Sequence, residues 1–133
     1  CRPKTDQKNL IFQYRDASGL NSDVDYVSAF MSADTNGGTG SGHADDQTVG
    51  LVLNAIGTNG REAGNFIAYL DPITSNTPKF MHYRSYGQMQ DATARTIFGG
   101  VAYNDATVMT GIKWYWSSGN WESGTIKIYG VND

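Results

Sequence analysis

The chain has one cysteine, three prolines and two histidines in 133 residues, and no run of lysine or arginine. Each scarcity excludes something. A single thiol, Cys1, cannot form an intrachain disulfide, so the fold does not depend on oxidation. Ten Lys and Arg against 13 Asp and Glu give a net charge of −3 and an isoelectric point near 5.2. Without a basic cluster there is no electrostatic footprint for nucleic acid, which is not an expected partner. No apolar stretch approaches the roughly 18 residues that read as a spanning helix, so membrane insertion is not expected. A bacterial lipoprotein begins with cysteine after processing, but no signal segment accompanies Cys1. Since no initiator Met precedes Cys1 either, upstream sequence is expected to be missing.

What is present points to β-structure. Sixteen Gly, eight Tyr, five Phe and three Trp suit turns and pleated surfaces better than a helical bundle. The length is that of one domain, and a chain of this mass buries roughly two-thirds of its unfolded surface. No segment sustains a 3.6-residue period and no internal repeat is visible. Residues 1–9 are polar, contain Pro3 and read as an N-terminal arm or linker. From residue 10 to 133 apolar runs alternate with Gly, Asn, Asp and Ser clusters. They predict about eight strands, near 10–15, 24–33, 48–56, 64–70, 79–86, 95–103, 107–116 and 123–131. The expected fold is an all-β antiparallel sandwich, jelly-roll-like.

Turn chemistry sets the boundaries. Asn59-Gly60 is a hairpin signal, because both residues tolerate positive φ. Asp71-Pro72 and Thr77-Pro78 bracket another connection, and Gly99-Gly100 predicts a bulge or break in its strand. The Gly-rich stretch from Ala33 to Gln47 buries little apolar surface and is expected to be an exposed, mobile loop. At the C-terminal end a period of two puts Ile112, Trp114 and Trp116 on one face, and Ile126 and Ile128 on one face. Pairing Ile112 with Ile126 makes those faces coincide and leaves Ser117 to Trp121 as a loop. Gly119 is then the expected positive-φ residue, and Trp121 sits at the loop end outside the core stripe.

The run from Val108 to Val131, VMTGIKWYWSSGNWESGTIKIYGV, resembles the C-terminal signature of jelly-roll modules in bacteriophage virion proteins, among them tail fibres and head decorations. The pattern is an alternating apolar strand (Ile112, Trp114, Trp116), then Ser117-Ser118-Gly119-Asn120, then Ser123-Gly124-Thr125-Ile126, then Tyr129-Gly130. Upstream, Met31–Gly42 resembles the family's Gly-rich loop, and Ala63–Gly87 its middle strand, polar turn and aromatic strand. Trp121 stands where such sequences usually carry a smaller apolar residue, and the Ala33–Gln47 loop is longer than the family's. The resemblance implies a homotrimer, other virion proteins as partners, and a place on the surface of the particle.

Motifs for chemistry are thin. Ser41, His43 and Asp45 assemble a triad only on paper, within one loop and without a nucleophile elbow. His82, next to Tyr83 on a strand, reads as a satisfied sheet histidine. The acids Glu62, Asp71, Asp91, Asp105 and Glu122 sit outside apolar runs, so none is expected to be desolvated. Asn21-x-Asp23-x-Asp25, and Asp34 with Asp45 and Asp46, offer oxygen ligands for a structural calcium but lack the Gly and distal Glu of an EF-hand loop. No cofactor is otherwise expected. Tyr83, Tyr86, Tyr103 and Trp121 are the aromatics that could face a sugar ring or a neighbouring subunit. The expectation is a non-catalytic virion surface module that attaches to a host-surface glycan or decorates a capsid. Its candidate ligand or subunit contacts are Asp34, His43, Asn59, Asn120 and Trp121. The alternative is a carbohydrate-binding module of a secreted bacterial protein, and a small hydrolase is a more distant rival.

Overall fold

The computed structural model describes residues 1–4, 7–20, 25–47, 50–56, 58, 62–89 and 93–130, and their side chains except at 44–47 and 50–55. The strands are β1 (Arg2–Pro3), β2 (Lys8–Arg15), β3 (Tyr26–Asp34), β4 (Thr39–Gln47), β5 (Gly50–Ile56), β6 (Gly64–Leu70), β7 (Lys79–Gln88), β8 (Ala94–Tyr103), β9 (Gly111–Trp116) and β10 (Trp121–Ser123). Among the described residues there is no helix, and every strand pair is antiparallel. A five-stranded sheet runs β4-β3-β8-β7-β6, a three-stranded sheet β5-β2-β9, and β1 with β10 forms a separate ribbon. The chain is an all-β sandwich. Its early strands pair with late ones, β2 with β9 and β3 with β8, in the nested manner of a jelly roll, while β6-β7-β8 is a simple meander.

Alternation builds the core. Leu10, Phe12 and Tyr14 of β2 point inward, and their partners Trp116, Trp114 and Ile112 on β9 share that face. Across the sandwich they meet Tyr26 of β3, Phe66 of β6, Met81 and Tyr83 of β7, and Ile97, Val101 and Tyr103 of β8. Tyr14 stacks on Tyr26 at 6.2 Å between ring centroids and lies 5.6 Å from Tyr103. Phe66 meets Trp114 at 4.8 Å, which seats β9 over β6. Contacts of this kind each contribute about 0.5–1.5 kcal/mol beyond the area they bury.

One polar contact crosses the seam. Among the described residues, pairing of β2 with β5 ends at Phe12↔Gly50, and they hold no ladder acceptor for the amide of Tyr14. The Tyr26 hydroxyl accepts it at 2.7 Å. The Tyr14 hydroxyl is itself buried with no hydrogen-bond partner among the described residues. Burial, reinforced by Tyr26 and Asp71, drives its pKa far above the ordinary tyrosine value.

Several expectations are corrected. The Ala33–Gln47 stretch is not a mobile loop: residues 39–47 form edge strand β4, paired with β3 from Ala33↔Thr39 to Tyr26↔Gln47. The loop is only the turn after Asp34, whose Oδ1 accepts the amides of Asn36 (3.0 Å) and Gly38 (2.8 Å), with Gly37 at φ 82°. Glycine-rich composition here serves close packing, since a Cβ at Gly42 would come within 2.8 Å of the Phe30 ring. Gly99 and Gly100 make no break, because β8 keeps unbroken register with both β3 and β7. Instead the Tyr83 ring lies over Gly99, where a Cβ would sit 2.4 Å from its hydroxyl.

The C-terminal pairing also differs. The strand expected at 107–116 begins only at Gly111, and β9 pairs with β2 and not with the C-terminal segment. The strand expected at 123–131 is instead β10, which ends at Ser123, and Ile126 does not face Ile112. The competing force is Trp121, which packs on Trp116 at 5.4 Å and pairs with Pro3, drawing the chain onto β1. Residues Arg2–Pro3 of the segment read as an arm are therefore strand, and Lys8 and Asn9 open β2. Gly119 does take positive φ, at 75°.

Two substitutions test the seam. Tyr26→Phe strands the Tyr14 amide and should cost about 1–3 kcal/mol in urea unfolding, whereas Tyr14→Phe, which removes only the unpartnered hydroxyl, should cost nothing or stabilise. Gly99→Val should destabilise by about 1–3 kcal/mol in the same assay, because buried Tyr83 has nowhere to move.

Candidate binding surfaces

The residues of the five-stranded sheet that face away from the core form ordered rows, fixed by the registers. One row runs Ile67–Arg84–Phe98–Met31–Ser41 across β6, β7, β8, β3 and β4. The next runs Tyr69–His82–Gly100–Ala29–His43, and beyond it Phe80 pairs with Ala102 and Ala102 with Val27. On the other side lies Asn65–Tyr86–Thr96–Ala33–Thr39. Alternation ordinarily makes such a face polar. Here Met31 is 70% exposed, Ile67 61%, Tyr69 60%, Phe80 55%, Phe98 53% and Tyr86 48%. Scattered exposed apolar residues need no explanation, but a contiguous set does. The large sheet's inner strands supply it because β7 and β8 carry bulky apolar residues in both registers, such as Met81 inward beside Phe80 outward.

Asp71 borders Phe80, whose amide donates to its Oδ2 at 3.2 Å, but the described side chains of the rows include no carboxylate. Their one fixed charge, Arg84, lies 5.2 Å above the Phe98 ring, and His82 stacks on Tyr69 at 4.8 Å with 17° between planes. The outward side of the small sheet contrasts with it: Lys113 lies over Tyr115, whose hydroxyl donates to Gln13 Oε1 at 2.9 Å.

A shallow groove of about 290 Å³ opens where the inner face of β3 and β4 extends past the small sheet, lined by Phe30, Ser32, Asp34, Gly38, Gly40 and Arg95. Its polar groups are largely engaged. Asp34 caps the turn and meets Arg95 at 3.6 Å, and the Ser32 hydroxyl donates to the Gly40 carbonyl at 3.4 Å.

The residues expected to make contacts are not gathered in one place. Asp34 shapes the β3–β4 turn, whereas His43 is exposed on the outward face of β4. Asn120 lies in the exposed loop before β10, its carbonyl accepting the Lys4 amide at 2.8 Å. Trp121 is half-buried against the core rather than outside it. Asn59 lies outside the described residues. Of the tyrosines expected to be available, Tyr86 is exposed while Tyr83 and Tyr103 are core. Burial pushes the Tyr83 pKa up to about 12.

For chemistry, Ser41 and His43 project from the outward face of β4, and the side chain of Asp45 is outside the description. His82 is exposed against Tyr69. Glu62 corrects the reading of the acids: it is buried at 4% exposure. Glu122 pairs with Arg2 at 2.9 Å, and Asp105 is held below its ordinary pKa first by the Thr107 hydroxyl and then by the Thr107 amide. Among the described residues no group of three His, Cys, Asp or Glu could hold a metal. Residues 21–24 and the side chains of Asp45 and Asp46 fall outside them.

Of the outward aromatic set the sequence marks only Tyr86, because parity is ambiguous in β7, where Phe80, His82 and Tyr86 alternate with Met81 and Tyr83. Replacing Phe98 and Ile67 by serine should reduce the fluorescence of a bound hydrophobic dye such as ANS, with stability changed by no more than about 0.5 kcal/mol per site. A loss of several kcal/mol would mean these side chains are core.

Comparison with protein families, with curated proteins and with solved structures finds no match to any of the three.

Proposed function

We propose that the chain is a non-catalytic binding and assembly module on the surface of a bacteriophage particle, acting as a tail-fibre or appendage domain or as a capsid decoration. The observation that carries the binding role is the outward face of the five-stranded sheet, with six large apolar side chains 48–70% exposed and no carboxylate among the described side chains of its rows. At roughly 200 Å² per aromatic side chain, the four aromatics alone leave on the order of 400 Å² in water, the size of the largest patch on a typical monomer. Such a face contributes by being covered, so its partners are proteins of the particle or a host-surface glycan. The placement on a phage particle rests on the resemblance of Val108–Val131.

The rival reading, a carbohydrate-binding module of a secreted bacterial protein, is favoured by the stacked Tyr69 and His82, which present exposed ring surface to a sugar. Immunogold microscopy with antibodies against the chain separates the two. Label on the exterior of phage particles from the source culture is the expected result. Label absent from particles, with the chain in the soluble secreted fraction, would overturn it in favour of the rival.

A further inference from the structure

Residues 124–130, Gly-Thr-Ile-Lys-Ile-Tyr-Gly, lie in no strand. Their composition is that of one: Thr125, Ile126 and Ile128 are β-branched, and apolar residues alternate with Thr125 and Lys127. Ile128 is 76% exposed, Tyr129 77% and Ile126 39%. Among the described residues no backbone hydrogen bond engages this segment.

The matching acceptor is the outer edge of β9, which among the described residues pairs with β2 alone. Ser117 donates its amide to Asn9 at 2.8 Å, so antiparallel alternation turns the amides and carbonyls of Trp116, Trp114 and Ile112 away from β2. That edge carries a single charge, Lys113, and neither proline nor bulge to block another strand. Seven extended residues reach about 23 Å, enough to run the whole of β9. The face that Ile126 and Ile128 share fits beside the face of Ile112 and Trp114.

The segment is steered away from β9 of its own chain. Pro3↔Trp121 and Arg2↔Ser123 tie β10 to β1, the Arg2–Glu122 ion pair closes at 2.9 Å, and Gly124 turns against Cys1 at φ 150°. We propose that residues 124–130 of one copy add as a strand to β9 of a second copy of this chain, with Ile126 and Ile128 beside Trp114 and Ile112. The inference deepens the assembly reading and rests on it. Two copies that each donate this segment to the other close as a two-fold dimer, and head-to-tail donation closes as a ring where the rotation permits.

Light scattering on the full chain from about 1 to 100 μM, the range in which such interfaces form, tests it. The expected result is an integral multiple of 14.5 kDa for the wild type. Ile126→Asp with Ile128→Asp, and separately Ile128→Pro, should return the mass to one chain that melts cooperatively at the temperature of the wild type diluted to a single chain, because these side chains are exposed within one copy. A wild type that stays a single chain at the highest concentration overturns the exchange. Variants that keep the multiple overturn it too, and point to the outward sheet face as the contact. A monomer that still labels particles defeats the exchange alone; an exchanging chain absent from particles defeats the attachment reading alone.

Discussion

The amide of Tyr14, donated across the sandwich to the hydroxyl of Tyr26, fixes the seam on which the two sheets depend. A buried amide without an acceptor costs about 1–3 kcal/mol, comparable with a large part of a domain's net stability. Among the described residues the pairing of β2 with β5 runs no further than Phe12, and a residue of the opposite layer takes the amide of Tyr14. That bond sets β3 against β2, and the rings of Tyr14, Tyr26 and Tyr103 close around it. Once one residue per strand is fixed inward, a period of two decides every other side chain of the strands in register with it.

The consequence for function lies on the opposite surface. The same alternation that puts Met81, Tyr83, Ile97 and Val101 into the core delivers Phe80, Tyr86, Phe98 and Met31 to water. A sheet rich in apolar residues in both registers is built to be covered on both faces, and the small sheet covers only one. Arg84 and His82 lie over or against aromatic rings there, which lowers the polarity that they add. Residues 124–130 and the outer edge of β9 are the same kind of feature in backbone form, a donor and an acceptor left unjoined among the described residues.

Much of the architecture was legible in the sequence. Positions of β2, β3, β5, β6, β7 and β8 followed from apolar runs between turn residues, and Gly119 from the need for positive φ. β4 was not legible, because its inward glycines, Gly40 and Gly42, exist to admit Ser32 and Phe30 and look like loop composition. The terminal hairpin was misread for a different reason. Parity correctly grouped Ile112 with Trp114 and Trp116 but could not see that Trp121 would prefer the ribbon with Pro3. Of the candidate contacts, Asp34 and Trp121 went to turn-making and packing, while the aromatic rows needed cross-strand register, which no local pattern carries.

The central claim is the division of each strand into a buried and an exposed register, and hydroxyl-radical footprinting read by mass spectrometry at nanomolar concentration measures it residue by residue. Met31, Phe98, Phe80 and Tyr86 should oxidise readily while Met81, Tyr83, Tyr26 and Met109 stay protected. Equal labelling of Met81 and Met31, or protection of Phe98 beside labelled Tyr83, would contradict the assignment of faces.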